Sequence, residues 1–311
     1  MSYQKPVTTL YDEAVTALAK HNENIYSVDA EGVWMNTHFR EAFPERAIQV
    51  GIAEQNLVGV SAGLASRGKI VFANTMAAFI TMRACEQVKV DVAYQGFNVK
   101  LVASITGVYG AYYGTTHHGL ADIAIMRAIP NMVVVVPGDS LEVKKIVNAA
   151  VEHYGPMYIR LDYVEPIYEE DYPFELGKAV TLRDGKDVTL IATGSMVKRA
   201  LRAAEMLSKQ GIDARVLNMH TIKPIDEKAI IEAGKETGGI VTLEEHSVVG
   251  GLGGAVAKIV TDKAPTYVKR IGFQDTFCEI IGTYNEILEQ YKLLPSHIVD
   301  ETVGFLKRSK K

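Results

Sequence analysis

Nine short apolar runs punctuate the chain: "NIYSVDA" (24–30), "KIVFAN" (69–74), "VKLVASI" (99–105), "MVVVVPG" (132–138), "MYIRL" (157–161), "DVTLIATG" (187–194), "DARVLNM" (213–219), "IVTLEEH" (240–246) and "YVKRIGF" (267–273). Those of the first half are continuous and rich in Val and Ile, as parallel strands covered on both faces should be. Segments with helical spacing lie between them. "TLYDEAVTALAKH" places Leu10, Ala14, Ala17, Leu18 and His21 three and four apart. "AEQNLVGVSAGLASRG" (53–68) has a small apolar face and ends at Gly68, a C-cap residue type. "NTMAAFITMRACEQVKVDV" (74–92) predicts a further helix. "SLEVKKIVNAAVEHYG" (140–155) predicts one with Ser140 as N-cap. "KRALRAAEMLSKQG", "EKAIIEAGKETGG" and "GGLGGAVAKIVTDKA" predict three more in the second half. The alternation predicts an α/β chain of two doubly wound domains.

The pattern breaks after "RLDY". The stretch "VEPIYEEDYPFELG" carries two prolines, five acidic residues and no period, which suits a connection between domains. The expected division is residues 1–165, a linker over 166–184, and a second domain over 185–311. A length of 311 residues agrees with two domains. The formal net charge of −4 shows no electrostatic footprint for nucleic acid. The basic C-terminal "KRSKK" is expected to be a short frayed tail. Cys85 and Cys278 stand in no metal or redox spacing, and reduced thiols in a cytoplasmic protein are the simple reading. The N-terminus lacks the apolar core of a signal peptide, and no apolar run approaches the ~20 residues that span a bilayer.

Candidate chemistry gathers where strands end. Glu54 follows an apolar strand and opens a helix of small residues (Gly59, Ser61, Ala62, Gly63). A carboxylate there can simply answer the helix dipole. It is also where α/β sheets place ligands. In 74–92, Phe79, Met82, Arg83 and Glu86 are helical neighbours, for which the plain reading is a core stripe with an Arg83–Glu86 pair. "PGDSLEV" lacks the glycines of a phosphate loop and reads as a strand–turn–helix joint. "HSVVGGLGGAVAK" loosely matches a dinucleotide fingerprint, but no acid ends a strand at the required distance, so a nicotinamide-cofactor site is rejected. His117 and His118, in "GAYYGTTHHG", are adjacent and do not have the spacing of a metal pair. Their loop nevertheless follows a strand of the sheet, where polar residues are candidates for substrate contact.

Several stretches, in order along nearly the whole chain, resemble the transketolase family of thiamine diphosphate enzymes. They are "FPERAIQVGIAEQNLVGVSAGLASRGK", "HHGLADIAIMRAIPNMVVVVPGD", "NMHTIKPID", "LEEHSVVGGLGGAVA" and "RIGFQDTF". The resemblance implies a pyrimidine-binding domain followed by a transketolase C-terminal domain. The Gly-Asp-Gly and Asn-Asn motifs of the family's diphosphate-binding half are missing from this sequence. The chain thus resembles the C-terminal subunit of a split transketolase. An N-terminal, diphosphate-binding subunit would hold Mg2+ or Ca2+, and the two would form a heterotetramer. The implied reaction moves a two-carbon ketol unit from a ketose to an aldose.

The resemblance also assigns residues. Glu54 would bond the aminopyrimidine ring nitrogen and Phe79 would stack on that ring. Met76 stands where many relatives have an aromatic. Arg83 matches an arginine of deoxyxylulose-phosphate synthases, and Asp29 a cofactor-side acid. His117 matches the active-site histidine, and Arg160 an arginine that grips the substrate's terminal anion. The departures are Tyr113 in place of a sugar-reading aspartate, Ile105 in place of a histidine, and Thr8 in place of an arginine. Three altered recognition positions point to a non-standard sugar, such as a sulfosugar or a branched-sugar phosphate. The rival readings are the β subunit of a 2-oxoacid dehydrogenase, a deoxyxylulose-phosphate-synthase-like enzyme, and a non-catalytic partner subunit. "GIAEQN" and "HTIKPID" favour transketolase over the dehydrogenase, and Glu54 with His117 argues against the non-catalytic subunit.

Overall fold

A computed structural model describes residues 6–31, 33–168 and 171–309. The first five residues, Glu169 and Glu170 of the connection, and Lys310 and Lys311 of the basic tail lie outside the described residues. Among the described residues, twelve strands form two sheets. They are β1 Ile25–Asp29, β2 Ala47–Gln49, β3 Ile70–Met76, β4 Val99–Ser104, β5 Val133–Val135, β6 Met157–Arg160, β7 Val180–Arg183, β8 Val188–Ala192, β9 Ala214–Asn218, β10 Thr221–Lys223, β11 Ile240–Ser247 and β12 Val268–Phe273.

The first sheet has the order β10-β5-β6-β4-β3-β1-β2 and is parallel except for β10. The second has the order β12-β11-β8-β9-β7 and is parallel except for β7. This is the expected pair of α/β domains. The residues of β3, β4, β5 and β6 are almost entirely buried, which is why their sequences run apolar instead of alternating. Helices Val7–Ala19 and Ser140–Glu152 cover one face of the first sheet, packed on Phe72, Val102 and Ile159. Helices Glu54–Ala65 and Asp122–Ala128 cover the other, on Ala73, Leu101 and Tyr158. β10 belongs by sequence to the second half yet completes the edge of the first sheet, so the two domains share backbone hydrogen bonds.

Four expectations need correction. Residues 74–76 are the end of β3, not the start of a helix. The following turns, Phe79–Arg83 and Val88–Ala93, are π-helical. Ser140 is not the N-cap: the Asp139 carboxylate accepts from Leu141 N–H and fills that role. β7 lies inside the stretch expected to be linker, where it pairs with β9. The tail is not frayed where it begins, because Lys307 and Arg308 are in helix Pro295–Ser309.

Asp139 also accepts from the backbone N–H groups of Ile167 and Tyr168, so one buried carboxylate caps a helix and anchors the connection. Replacing Asp139 by Ala should lower the unfolding free energy by about 1–3 kcal/mol, as for a lost cap with buried donors left unpaired. Chemical denaturation measures this, and a variant within error of the wild type would show that the carboxylate holds neither element.

Candidate active site

β1 feeds β2 on one side and β3 on the other, so the sheet order reverses at β1. The crevice beyond the carboxyl ends of these strands is where open α/β sheets bind ligands. Asp29 ends β1, Glu54 follows β2, Met76 ends β3 with Phe79 and Arg83 just beyond, and Tyr113 and His117 lie in the loop after β4. Seven of the eight sequence-derived residues thus gather beyond β1, β2, β3 and β4, and the eighth, Arg160, ends β6 at the same sheet edge.

Five of them form a chain of contacts. Glu54 is fully buried at the first turn of its helix. Its Oε2 accepts from Arg83 Nη1 at 2.6 Å, while its Oε1 is buried with no hydrogen-bond partner. Arg83 therefore pairs with Glu54, not with Glu86. The wide π-turn Phe79–Arg83 sets the Arg83 guanidinium carbon 4.3 Å from the centre of the Phe79 ring. Phe79 meets His117 edge to face, 5.1 Å between centroids, and His117 stacks on Tyr113 at 5.2 Å. His117 Nδ1 is 2.9 Å from Thr116 Oγ1. His118 is buried, with neither ring nitrogen hydrogen-bonded, and burial pushes its pKa down. Phe79, Arg83 and His118 line a cavity of about 740 Å3 whose far wall, Gln274–Cys278, comes from the second domain.

The remaining two members of the edge are enclosed nearby. Met76 is buried at the end of β3. Asp29 is buried against Asn36, whose Nδ2 donates to its Oδ2, and its Oδ1 has no partner. Burial pushes the Asp29 carboxyl up to about 7, against the opposing charge of Arg40 and the Ser27 hydroxyl.

The loop from Ile105 to Gly119 closes on itself through a backbone bridge between Gly107 and Gly119. The second domain fixes it at three points. Glu245 Oε1 accepts from Val108 N–H at 2.8 Å, Ser247 N–H donates to Leu120 O at 2.8 Å, and Cys278 O accepts from Thr115 Oγ1 at 2.6 Å. Gly107 has φ +55°, and a Cβ there would overlap the Glu245 carboxylate, so glycine is needed for both reasons.

Arg160 requires a correction. Its side chain is 1% exposed and lines neither large cavity. Nε donates to Asp122 Oδ2 at 2.7 Å and Nη1 to Asp162. Nη2 donates to Gly119 O at 3.2 Å and Glu245 O at 3.0 Å. These bonds, not a substrate anion, occupy the guanidinium. Glycine-rich residues 250–254 likewise offer no anion site. Glu244 of β11 already accepts from Leu252 N–H and Gly253 N–H at the start of that helix, at 2.6 and 2.9 Å.

Comparisons with known proteins agree with this architecture. Residues 4–163 match the family "Transketolase, pyrimidine binding domain" and residues 177–298 match "Transketolase, C-terminal domain". The chain is 42% identical over 293 residues to the 6-deoxy-6-sulfo-D-fructose transketolase subunit SqwH of Clostridium sp., covering 93% of this chain and 91% of that one. It is 42% identical over 304 residues to an apulose-4-phosphate transketolase subunit of Phocaeicola vulgatus, covering 96% of each. The solved structure "Split gene transketolase, inactive beta4 tetramer" superposes with a TM-score of 0.89 at 39% identity, over 98% of this chain and 99% of that one. The chain belongs to the transketolase family. Within it, the chain is an enzyme subunit of the split kind, carrying the pyrimidine-binding and C-terminal domains.

Two outcomes follow from the geometry. Arg160→Ala leaves Asp122 and Asp162 as unpaired buried charges and should cost about 3–5 kcal/mol of stability. An equally stable variant with a raised KM for anionic sugars would return Arg160 to the substrate. Asp29 binds its proton more tightly folded than unfolded. Its stabilising contribution is full below its ordinary value of 3.8 and is lost as pH rises through about 7. Asp29→Asn should therefore gain on the wild type by on the order of a few kcal/mol in going from pH 4 to pH 8, and a stability difference that is flat across that range would refute the raised pKa.

Proposed function

We propose that this chain, joined to an N-terminal subunit, transfers a two-carbon ketol unit between a ketose and an aldose, with thiamine diphosphate bound between the two subunits. The observation that carries this reading is the unpartnered Glu54 Oε1. A fully buried carboxylate oxygen without a donor is costly and rare, and it fits a site built to meet a ring nitrogen of a ligand. Thiamine diphosphate supplies the electron sink needed to break the carbon–carbon bond beside a ketose carbonyl.

This chain's residues supply position and proton handling. Arg83 holds Glu54 Oε2 and so turns Oε1 toward the ligand, where it takes or returns a proton. Phe79 offers the pyrimidine a flat apolar face, with Met76 and Asp29 at the neighbouring strand ends. His117 leaves Nε2 for a sugar oxygen while Nδ1 is engaged with Thr116, and Tyr113 supports the ring from behind and reaches toward the sugar. The diphosphate and its Mg2+ or Ca2+ belong to the partner subunit, in a heterotetramer of two such subunits and two partners in the cytoplasm. The relatives' names support a sugar outside the common pentose phosphates, such as a sulfosugar or a branched-sugar phosphate with a terminal anion.

The chain alone should show no turnover, and activity should appear on adding the partner subunit and thiamine diphosphate with Mg2+. In that complex, Glu54→Gln should lower kcat by about 10²–10⁴-fold with an unchanged circular dichroism spectrum. Turnover by the isolated chain would end the split-site reading, and an unaffected kcat in E54Q would remove Glu54 from the proton transfer.

A further inference from the structure

Glu245 lies on β11, between β12 and β8 of the second sheet, and its side chain is buried. The carboxylate is shared among three segments. Oε1 accepts from Val108 N–H at 2.8 Å, at the start of the loop that carries His117. Oε2 accepts from the Ser195 hydroxyl at 2.6 Å and from the Tyr284 hydroxyl. Ser195 and Tyr284 stand at the starts of two helices of the second domain, Met196–Ser208 and Tyr284–Gln290. Oε2 is thus fixed to rigid elements, and Oε1 is the end that holds the loop. All three donors are uncharged, and hydrogen bonds to both oxygens must offset the cost of burying the carboxylate.

The two arms of the loop close on each other before they reach His117. Gly107 and Gly119 exchange both backbone hydrogen bonds, at 3.1 and 2.9 Å. Beside that bridge, the end of β11 holds both arms. The Glu245 side chain takes Val108, and Ser247 N–H donates to Leu120 O at 2.8 Å. The first arm is the strained one, with Ile105 at φ +51° and Gly107 at φ +55°. A β-branched residue keeps such a backbone only where its neighbours hold it there, and the Val108 bond adjoins both residues in the chain. The tip of the loop has its own anchor, from Thr115 Oγ1 to Cys278 O. Loss of the Val108 bond therefore re-aims the loop without freeing it. Tyr113 would move with His117, whereas Phe79, which meets the His117 ring from the turn after β3, would not.

We propose that Glu245 is a positioning residue, which sets the base of the loop through Val108 N–H and so aims the His117 ring at the sugar. The second domain thereby takes part in the reaction without touching the reactants. The link to the sugar rests on the ketol-transfer reading, whereas the link from Glu245 to the His117 ring does not.

Three variants separate this role from general loosening. Gln at position 245 can keep its carbonyl on Val108 N–H and turn its amide to the Ser195 and Tyr284 hydroxyls, which accept as well as donate. Glu245→Ala leaves all three donors unpaired. Gly107→Ala breaks the same contact from the loop side, because its Cβ would overlap the Glu245 carboxylate. In the full chain, the NMR signal of the His117 ring, one of 8 histidines, is identified by its loss in His117→Gln. Its ring-current shift from Tyr113 and Phe79 should persist in E245Q and move toward that of an exposed histidine in E245A and G107A. It should stay in place in Asp139→Ala, which weakens the domain connection elsewhere. In the complex reconstituted with the partner subunit, thiamine diphosphate and Mg2+, E245A and G107A should lower kcat/KM for the sugar by about tenfold or more. Hydrogen–deuterium exchange at C2 of the cofactor should stay within about twofold of the wild type, because Glu54 and Arg83 lie outside the loop, and E245Q should keep kcat/KM within about threefold. If E245A does not fold, G107A carries the same comparison. An unmoved His117 signal in E245A or G107A overturns the positioning role. So does an equal loss of C2 exchange and sugar turnover, or an E245Q as impaired as E245A. A wild-type complex that transfers no ketol unit would sink the transketolase reading instead, and the His117 signal would still decide whether Glu245 sets the ring.

Discussion

The Arg160 guanidinium is enclosed at the meeting point of four segments, and much of the site's geometry depends on it. It pairs with Asp122 at the start of a helix and with Asp162 just past β6. It also holds the last carbonyl of the Ile105–Gly119 loop and the carbonyl of Glu245 in the second domain. Burying one cation between two carboxylates is no certain gain in stability over an apolar core. Removing one member is a certain loss, because the others are left charged and dry. The arrangement therefore enforces one relative position of two domains and one loop.

From that constraint the loop's details follow. Glu245 is delivered to Val108 N–H because its own backbone is tied to Arg160, and its second oxygen accepts from Ser195 and Tyr284. Gly107 leaves room for that carboxylate. Ile105 sits at φ +51°, a conformation that a β-branched residue rarely adopts. Such strain persists only where the surroundings over-determine the backbone, as the Gly107–Gly119 bridge and the three contacts from the second domain do here. His117 is thus presented by the second domain as much as by the first, through contacts that its neighbours in the loop make.

The long buried strands were legible because an apolar run of five to eight residues has few other uses. The strands that were missed, β7 and β10, are four and three residues long, and both are antiparallel edges whose pairing is decided by distant chain. The helix expected to begin at residue 74 failed at its start, because "NTM" can extend either element and β4 was available to pair with it. The burial of Glu54 at a helix start was foreshadowed by a lone acid between a strand and a helix of small residues. Arg160 was assigned to the substrate by the resemblance, although a cation in an apolar strand suits a buried pair as well. The cue was Asp162, two residues on and therefore on the same side of an extended segment. Val108, Ser195 and Tyr284 gave no such cue, since only the tertiary fold brings them together on Glu245.

Charge is distributed within this chain in a way that bears on how a divided enzyme is built. The buried Arg160 is saturated internally, by Asp122 and Asp162, and the helix start at residue 252 is saturated by Glu244. Around the candidate site, the chain leaves unsatisfied one carboxylate oxygen each of Glu54 and Asp29, the ring nitrogens of His118 and the faces of several aromatic rings. A buried, unpartnered carboxylate oxygen beside apolar rings suits a nitrogen heterocycle. A ligand carrying both a heterocycle and a diphosphate also needs a surface of a second kind.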